Sequence, residues 1–156
     1  PKSEGPSLDI KKWRPITLLN TVYKILAKAI SIRLSTIMPI VIHPTQIGFI
    51  RERSILDNVY TFWESADLAA KSNQNLAIVM LDFEKAYDRV DWEFLQGVLA
   101  CFGFSKEWIT GISSLYNSAQ SRVLLAGKYG PLFSISRSVR QGCPLAPFLF
   151  LFFLRQ

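Results

Sequence analysis

A carboxylate directly follows an aliphatic run in the middle of the chain. Residues 76–81 are all apolar, Asp82 comes next, and Tyr87 stands five positions further on. A strand end can hold a carboxylate closely enough to bind the two metal ions of phosphoryl or nucleotidyl transfer. The same side chain could instead cap a turn after the strand. On spacing alone, the cap is the better supported interpretation.

A basic cluster with an embedded aromatic residue lies near the N-terminus. Its charged members are Lys11, Lys12 and Arg14. Arginine binds phosphate through a bidentate fork and lysine contributes a point charge, so the cluster could hold a triphosphate or a nucleic-acid backbone. A solvated edge strand with Trp13 packed inward is the alternative. Arg51 and Arg53 form a second, weaker basic pair, which a surface position explains as well.

A glycine-containing segment near the C-terminus is the third candidate. Arg140, Gln141 and Gly142 directly precede Cys143 and Pro144. Glycine permits close backbone approach, and the Gln and Arg side chains can hydrogen-bond to a base, a sugar or a phosphate. A plain turn before a helix is equally consistent with these residues, because Gly and Pro mark turns.

The formal net charge of +6 comes entirely from the N-terminal third of the chain. Residues 1–53 contain nine Lys and Arg against three acidic residues, whereas residues 54–156 contain nine of each. A one-sided basic excess favours a polyanionic partner such as nucleic acid. His43 is the single histidine and has no nearby nucleophile, which excludes a hydrolase triad.

The cysteines and the apolar segments indicate in which cellular compartment the protein is found. Cys101 and Cys143 lack the spacing of a zinc site or a disulfide framework, which indicates an intracellular setting. No signal peptide is visible at the N-terminus. The apolar run at 145–154 is about half the length that a membrane span requires, so it predicts a buried helix and no membrane partner.

These candidate groups need elements to position them, and the pattern predicts an α+β fold with one central, mainly antiparallel sheet packed by helices. Residues 76–81 are predicted to form a strand buried on both faces. Helical periodicity predicts a helix that is capped by Asn20 or Thr21, runs to about Met38 and is ended by Pro39. A second helix is predicted after a capping box made by Ser54 and Asp57.

The C-terminal half is predicted to contain three more helices and a hairpin. Asp91 and Ser105 are predicted N-caps, Gly103 suits a helix end, and Pro147 suits the first turn of a terminal helix. Residues 122–125 and 132–135 are predicted to be the two strands of a hairpin. The predicted organisation is a linker at 1–10, a first part at 11–75 and a second part at 76–156.

Four stretches, taken in order, resemble the reverse transcriptase of non-LTR (LINE-type) retrotransposons, particularly plant-like ones. They are residues 13–20 followed by 23–28 (WRPITLLN and YKILAK), 42–50 with 53–58 (IHPTQIGFI and RSILDN), 81–92 (LDFEKAYDRVDW) and 139–144 (VRQGCP). Four motifs in this order are far more specific than any one of them. The resemblance implies a right-hand polymerase fragment, with residues 11–75 in the fingers and 76–156 in an incomplete palm.

The resemblance also implies roles for individual residues. Asp82 would be the catalytic carboxylate and a Mg²⁺ ligand, helped by the backbone carbonyl of Phe83. Arg14 would hold the incoming triphosphate, and Tyr87 would lie under the sugar as a steric gate that selects deoxynucleotides. The residues that would line the nucleotide and template pocket are Gln141 and Gly142. The basic residues expected to bind nucleic acid are Lys11, Lys12, Arg51, Arg53 and Arg140.

The implied activity is RNA-directed DNA polymerisation, with an RNA template, a DNA primer and deoxynucleoside triphosphates as partners. The family carries its other catalytic carboxylates in an aromatic-Ala-Asp-Asp hairpin, and no Asp or Glu follows Glu107 in this chain. The isolated chain is therefore expected to be inactive, with the remainder of the palm, the thumb and a possible endonuclease domain missing. The alternative is a non-catalytic nucleic-acid-binding remnant.

Overall fold

A computed structural model describes residues 17–154 of the chain. The predictions for the linker at 1–10 and for Lys11, Lys12 and Arg14 lie outside the described residues. The described α-helices are α1 (Thr21–Val41), α2 (Ile55–Lys71), α3 (Trp92–Cys101), α4 (Lys106–Ser114) and α5 (Ala146–Leu154). The strands are β1 (Gln120–Ser121), β2 (Leu124–Leu125), β3 (Lys128–Tyr129) and β4 (Phe133–Ser134). The predicted α+β class is confirmed.

The core of the described chain is built around α5. This helix is apolar on every side, and it packs against α1 and α3, while α3 also packs against α4. Leu149 and Phe152 of α5 have no exposed surface, and the Phe152 ring meets Phe102 and Phe104 edge-on. The prediction of a buried C-terminal helix is therefore confirmed. Among residues 17–154, no helix is both long enough and apolar enough to cross a bilayer.

The predicted helix starts are confirmed by hydrogen bonds to the backbone. The side chain of Asn20 accepts a 2.8 Å hydrogen bond from the Val22 N–H, and Ser54 and Asp57 form the expected capping box. Asp91 caps α3 and Ser105 caps α4 in the same way. Each cap satisfies an N–H group that has no partner inside its helix, which is why such starts can be predicted from local sequence.

Pro39 was predicted to end α1, and this prediction is wrong, because the helix continues to Val41. A proline inside a helix removes one N–H donor and crowds the preceding turn. The last turn forms nevertheless, since the Ile42 N–H still bonds the Met38 carbonyl at 3.0 Å. Arg53 adds bonds from Nη2 to the carbonyl oxygens of Pro39 and Ile42, which stabilise this helix end.

The predicted hairpin forms with a different pairing of its strands. β2 pairs with β3 across a two-residue turn, and β1 pairs separately with β4. Ala126 and Gly127 both have positive φ angles, 48° and 77°, which is the backbone geometry of a tight type I′ turn. Residues 124–125 therefore pair with 128–129, and not with 132–135 as predicted.

The predicted central strand is absent from the described structure, so this prediction is wrong. Residues 74–83 form no regular secondary structure, and Val79, Met80 and Leu81 are 77%, 82% and 83% exposed. A strand buried on both faces needs neighbours that pair with its backbone and cover its side chains. None of residues 17–154 supplies such a neighbour, and the sheets found there have two strands each.

Candidate nucleotide and metal site

Asp82 lies in the exposed segment that precedes a short 3₁₀ turn (Ala86–Arg89). Within residues 17–154 its carboxylate has no hydrogen bond or ion pair. Two neighbouring acidic side chains are already used locally, because Glu84 pairs with Arg89 at 2.7 Å and Asp91 caps α3. Asp82 is therefore free to accept a ligand.

A divalent metal site is only partly provided by the described residues. No group of three or more His, Cys, Asp or Glu side chains in residues 17–154 is arranged to hold a metal ion. Mg²⁺ demands near-octahedral oxygen coordination and usually binds one or two carboxylates together with substrate phosphates. Asp82 is a single carboxylate, so the described donor set does not complete a site for the ion.

Tyr87 lies in the 3₁₀ turn and packs onto the C-terminal helix. Its ring stacks on Phe150, with 4.9 Å between the ring centroids and 19° between the planes. The side chain is half-buried, and burial raises the pKa of the Tyr87 phenol. The ring is therefore neutral near pH 7 and is held in one orientation by its stacking partner.

Gln141 and Gly142 are the central residues of a four-residue turn, which we call the 140–143 turn. The Cys143 N–H bonds the Arg140 carbonyl at 3.0 Å and closes the turn. Gly142 has a φ of 90°, a conformation that side chains rarely adopt, and an added Cβ would lie 3.4 Å from the Thr17 carbonyl oxygen. Gly142 therefore permits a close backbone approach, as expected, and the group that approaches it is the carbonyl of Thr17 in the same chain.

The segment that follows Asp82 is joined to the segment that precedes the 140–143 turn. The Val139 N–H bonds the Tyr87 carbonyl at 2.9 Å, and the Ser138 N–H bonds the Val90 carbonyl at 2.8 Å. The indole Nε1–H of Trp92 donates to the Ser138 carbonyl at 2.8 Å. Tyr87 is therefore held next to the residue that directly precedes the 140–143 turn.

Tyr23, on the first turn of α1, also meets this region and was missed from the sequence as a functional residue. Its hydroxyl accepts a hydrogen bond from Cys143 Sγ at 3.7 Å, and Arg140 Cζ lies 5.2 Å from its ring centroid.

The nearby Tyr116 hydroxyl is buried and has no hydrogen-bond partner within residues 17–154. Burial, followed by the neighbouring phenol or thiol, raises the pKa of both Tyr23 and Tyr116. No local pattern signals contacts between residues about 120 positions apart in sequence.

The second basic pair occupies two different environments. Arg53 donates from Nη1 to the carbonyl oxygens of His43 and Gln46, at 2.7 and 2.6 Å, in addition to its two bonds to the end of α1. A phosphate at Arg53 would have to compete with four carbonyl oxygens. Arg51 is exposed. Nucleic-acid binding by these arginines stays a prediction.

Comparison with known proteins places these motifs in a family. Residues 1–156 match the family described as reverse transcriptase (RNA-dependent DNA polymerase). The chain is 41% identical over 137 residues to the "Transposon TX1 uncharacterized 149 kDa protein" of Xenopus laevis, which covers 88% of this chain and 10% of that protein. It is 30% identical over 150 residues to the "Retrovirus-related Pol polyprotein from type-1 retrotransposable element R2" of Popillia japonica. This match covers 94% of this chain and 20% of that protein.

The chain thus spans a tenth to a fifth of the length of these curated relatives. Neither organism is a plant, so the plant-like character stays a prediction. Reverse transcriptases as a family use divalent metal ions and bind a nucleic-acid template and primer. The ordered motifs and the match over the whole chain lead to one conclusion: this protein belongs to the reverse transcriptase family, as part of the reverse transcriptase domain of non-LTR retrotransposon proteins.

Proposed function

We propose that the chain contributes the first metal-binding carboxylate and the nucleotide-facing turn of an RNA-directed DNA polymerase that extends a primer 3′-hydroxyl. The observation that carries this proposal is the 2.9 Å hydrogen bond from the Val139 N–H to the Tyr87 carbonyl. It joins the segment that follows Asp82 to the turn that carries Gln141 and Gly142. The division into fingers at 11–75 and palm at 76–156 belongs to the same proposal.

Each proposed role uses a property of the chain itself. Asp82, with the Phe83 carbonyl, would supply ligands to Mg²⁺, and the bound ion would stabilise the charge that develops on the transferred phosphoryl group. Tyr87 would act as the steric gate, and its stacking on Phe150 supports this role because the contact opposes movement of the ring away from a 2′-hydroxyl. Arg14 would hold the triphosphate.

Metal binding tests the role of Asp82 directly. Mn²⁺ with a deoxynucleoside triphosphate, followed by electron paramagnetic resonance, is expected to bind the chain more weakly after Asp82→Asn. The matched control is Asp67→Asn, because Asp67 is an exposed aspartate on α2 that pairs with Lys71. Equal binding by the two variants would contradict the proposal.

The 156-residue chain alone is expected to be inactive, since one carboxylate cannot hold two metal ions against a phosphate. Primer extension with an RNA template, deoxynucleotides and Mg²⁺ measures this. Extension should not exceed that of an Asp82→Ala variant. Activity clearly above the variant would show that the chain assembles a complete site.

A non-catalytic nucleic-acid-binding role is the second candidate, and the basic excess in residues 1–53 favours it. Phosphate contacts release counterions, so the logarithm of RNA affinity should fall with the logarithm of salt concentration, by about 0.7 for each phosphate neutralised on a single strand. Fluorescence anisotropy at several salt concentrations gives this slope. A flat dependence would exclude the second candidate.

A further inference from the structure

We infer that Tyr23 is a positioning residue that holds the 140–143 turn in place. The inference rests on the proposed function, because it assigns Tyr23 the task of fixing where Gln141 meets the nucleotide. Its basis is geometric, since the residues at both ends of the turn contact one side chain. Cys143 donates to the Tyr23 hydroxyl and the Arg140 guanidinium lies over the Tyr23 ring.

The two contacts restrain the turn in complementary ways. A guanidinium within about 6 Å of an aromatic centroid is attracted to the ring face. This attraction restrains Arg140, the first residue of the turn. The thiol is a weak donor, but Cys143 is buried, and its partly buried bond to the Tyr23 hydroxyl restrains the last residue of the turn. Gln141 and Gly142 lie between these two fixed points.

The surroundings of Tyr23 make this contact rigid. Tyr116, only 2% exposed, is a close neighbour of the Tyr23 hydroxyl, and neither phenol ionises near pH 7. Gly142, within the turn, lies against the carbonyl of Thr17, which precedes α1. The turn therefore contacts both the first turn of α1 and the segment that leads into it, and movement of α1 would move the turn with it.

Gln141 is the residue whose direction this arrangement controls. Its side chain is half-buried and makes no hydrogen bond to any other residue within 17–154. Without a hydrogen bond to hold its amide, the position of this side chain depends on where the backbone of the turn places its Cα–Cβ bond. An effect of Tyr23 on nucleotide binding would therefore be transmitted through the backbone at 140–143.

The thiol of Cys143 provides a direct measurement, with Cys101 as an internal reference because it is exposed. In the folded 156-residue chain, a maleimide should label Cys101 rapidly and Cys143 slowly. Tyr23→Leu should speed Cys143 labelling by about tenfold relative to Cys101, because both contacts are lost. Tyr23→Phe keeps the ring under Arg140 and should raise the rate by only about twofold.

The control variant is Tyr60→Leu, which removes an exposed tyrosine on α2. It should leave Cys143 labelling unchanged. Should Tyr23→Leu fail to fold cooperatively, the twofold change in Tyr23→Phe decides the question alone. Unchanged Cys143 labelling in the folded Tyr23 variants would overturn the inference.

Nucleotide affinity separates this inference from the proposed function. With Mn²⁺ present, Gln141→Ala and Tyr23→Leu should each weaken deoxynucleoside triphosphate binding, and Tyr23→Phe should retain most of it. Weaker binding after Gln141→Ala but not after Tyr23→Leu would overturn the positioning role and leave the proposed function intact. Unchanged binding after both Gln141→Ala and Asp82→Asn would overturn the proposed function, and with it the role of Tyr23 toward nucleotide.

Discussion

Two stretches that consist of apolar residues differ in burial in this molecule. Helix α5 packs against α1 and α3, and its Leu149 and Phe152 have no exposed surface, whereas residues 76–81 are largely exposed. Apolar composition therefore does not determine burial. The neighbours available to cover a segment decide it, because the hydrophobic effect rewards only the surface that is removed from water.

The amphipathic helices show the same contrast. Both α2 and α3 begin with a capping side chain, yet α3 buries Leu95 and Leu99 while α2 buries none of its residues. Trp63, on α2, is 62% exposed. A helix can thus form from local signals alone and still contribute little to the core.

The largest expected effect comes from truncating a buried side chain of α5. Phe152→Ala should lower the free energy of unfolding by about 3–5 kcal/mol, because it leaves a cavity among aromatic rings. Trp63→Ala on exposed α2 should change it by only about 0.5 kcal/mol or less. Urea denaturation followed by circular dichroism measures both. Similar losses for the two variants would mean that α2 is packed in solution.

The next effect concerns the loop that joins the packed and exposed parts. Arg53→Met should lower the free energy of unfolding by about 1.5–3 kcal/mol, because four carbonyl oxygens lose a charged donor. Arg51→Met removes the same charge from an exposed position and should have little effect on stability. If both variants lose RNA affinity equally but only Arg53→Met loses stability, Arg53 acts on RNA solely through its charge.

The buried phenols should make stability depend on alkaline pH. Folding raises the pKa of Tyr23, Tyr87 and Tyr116. The contribution of these phenols to the free energy of unfolding is therefore complete below the unfolded pKa, near 10, and is lost as pH rises toward the folded pKa. The decrease should come mainly from Tyr116, which is the most deeply buried of the three, and should approach about 1.4 kcal/mol per pH unit well above that point. Tyr116→Phe should reduce this slope, as measured by denaturation between pH 9 and about 11. The substitution should be neutral or stabilising at pH 7, since it removes a buried hydroxyl that has no hydrogen-bond partner among residues 17–154. An unchanged alkaline slope would place Tyr116 in contact with water.

The smallest effects distinguish capping in the two regions. Asp91→Ala should lower the global free energy of unfolding by about 1 kcal/mol, because α3 belongs to the core. Ser54→Ala removes an equivalent cap from α2. Its effect should be seen mainly as faster amide hydrogen exchange within α2, with global stability nearly unchanged. A global loss from Ser54→Ala equal to that of Asp91→Ala would contradict the division into packed and exposed regions.

Much of the candidate site could be predicted because its signals are local. The capping residues, the turn at Gly142 and the assignment of 145–154 to a buried helix all depend on neighbours a few positions apart. The motif order also led to the family, which the match over residues 1–156 confirmed. Steric limits on φ and unpaired helix N–H groups act within one turn of chain, so sequence reports them directly.

The remainder depended on contacts between distant segments. The strand predicted at 76–81 failed because pairing and coverage must come from elsewhere in the chain. The hairpin is the exception, since its pairing differed for a local reason, the tight turn at Ala126 and Gly127. Sequence alone identified Asp82, Tyr87, Gln141 and Gly142 as candidates. Only the tertiary structure joined Tyr87 to Val139 and placed Tyr23 against both ends of the 140–143 turn, because such contacts arise from packing between helices and loops.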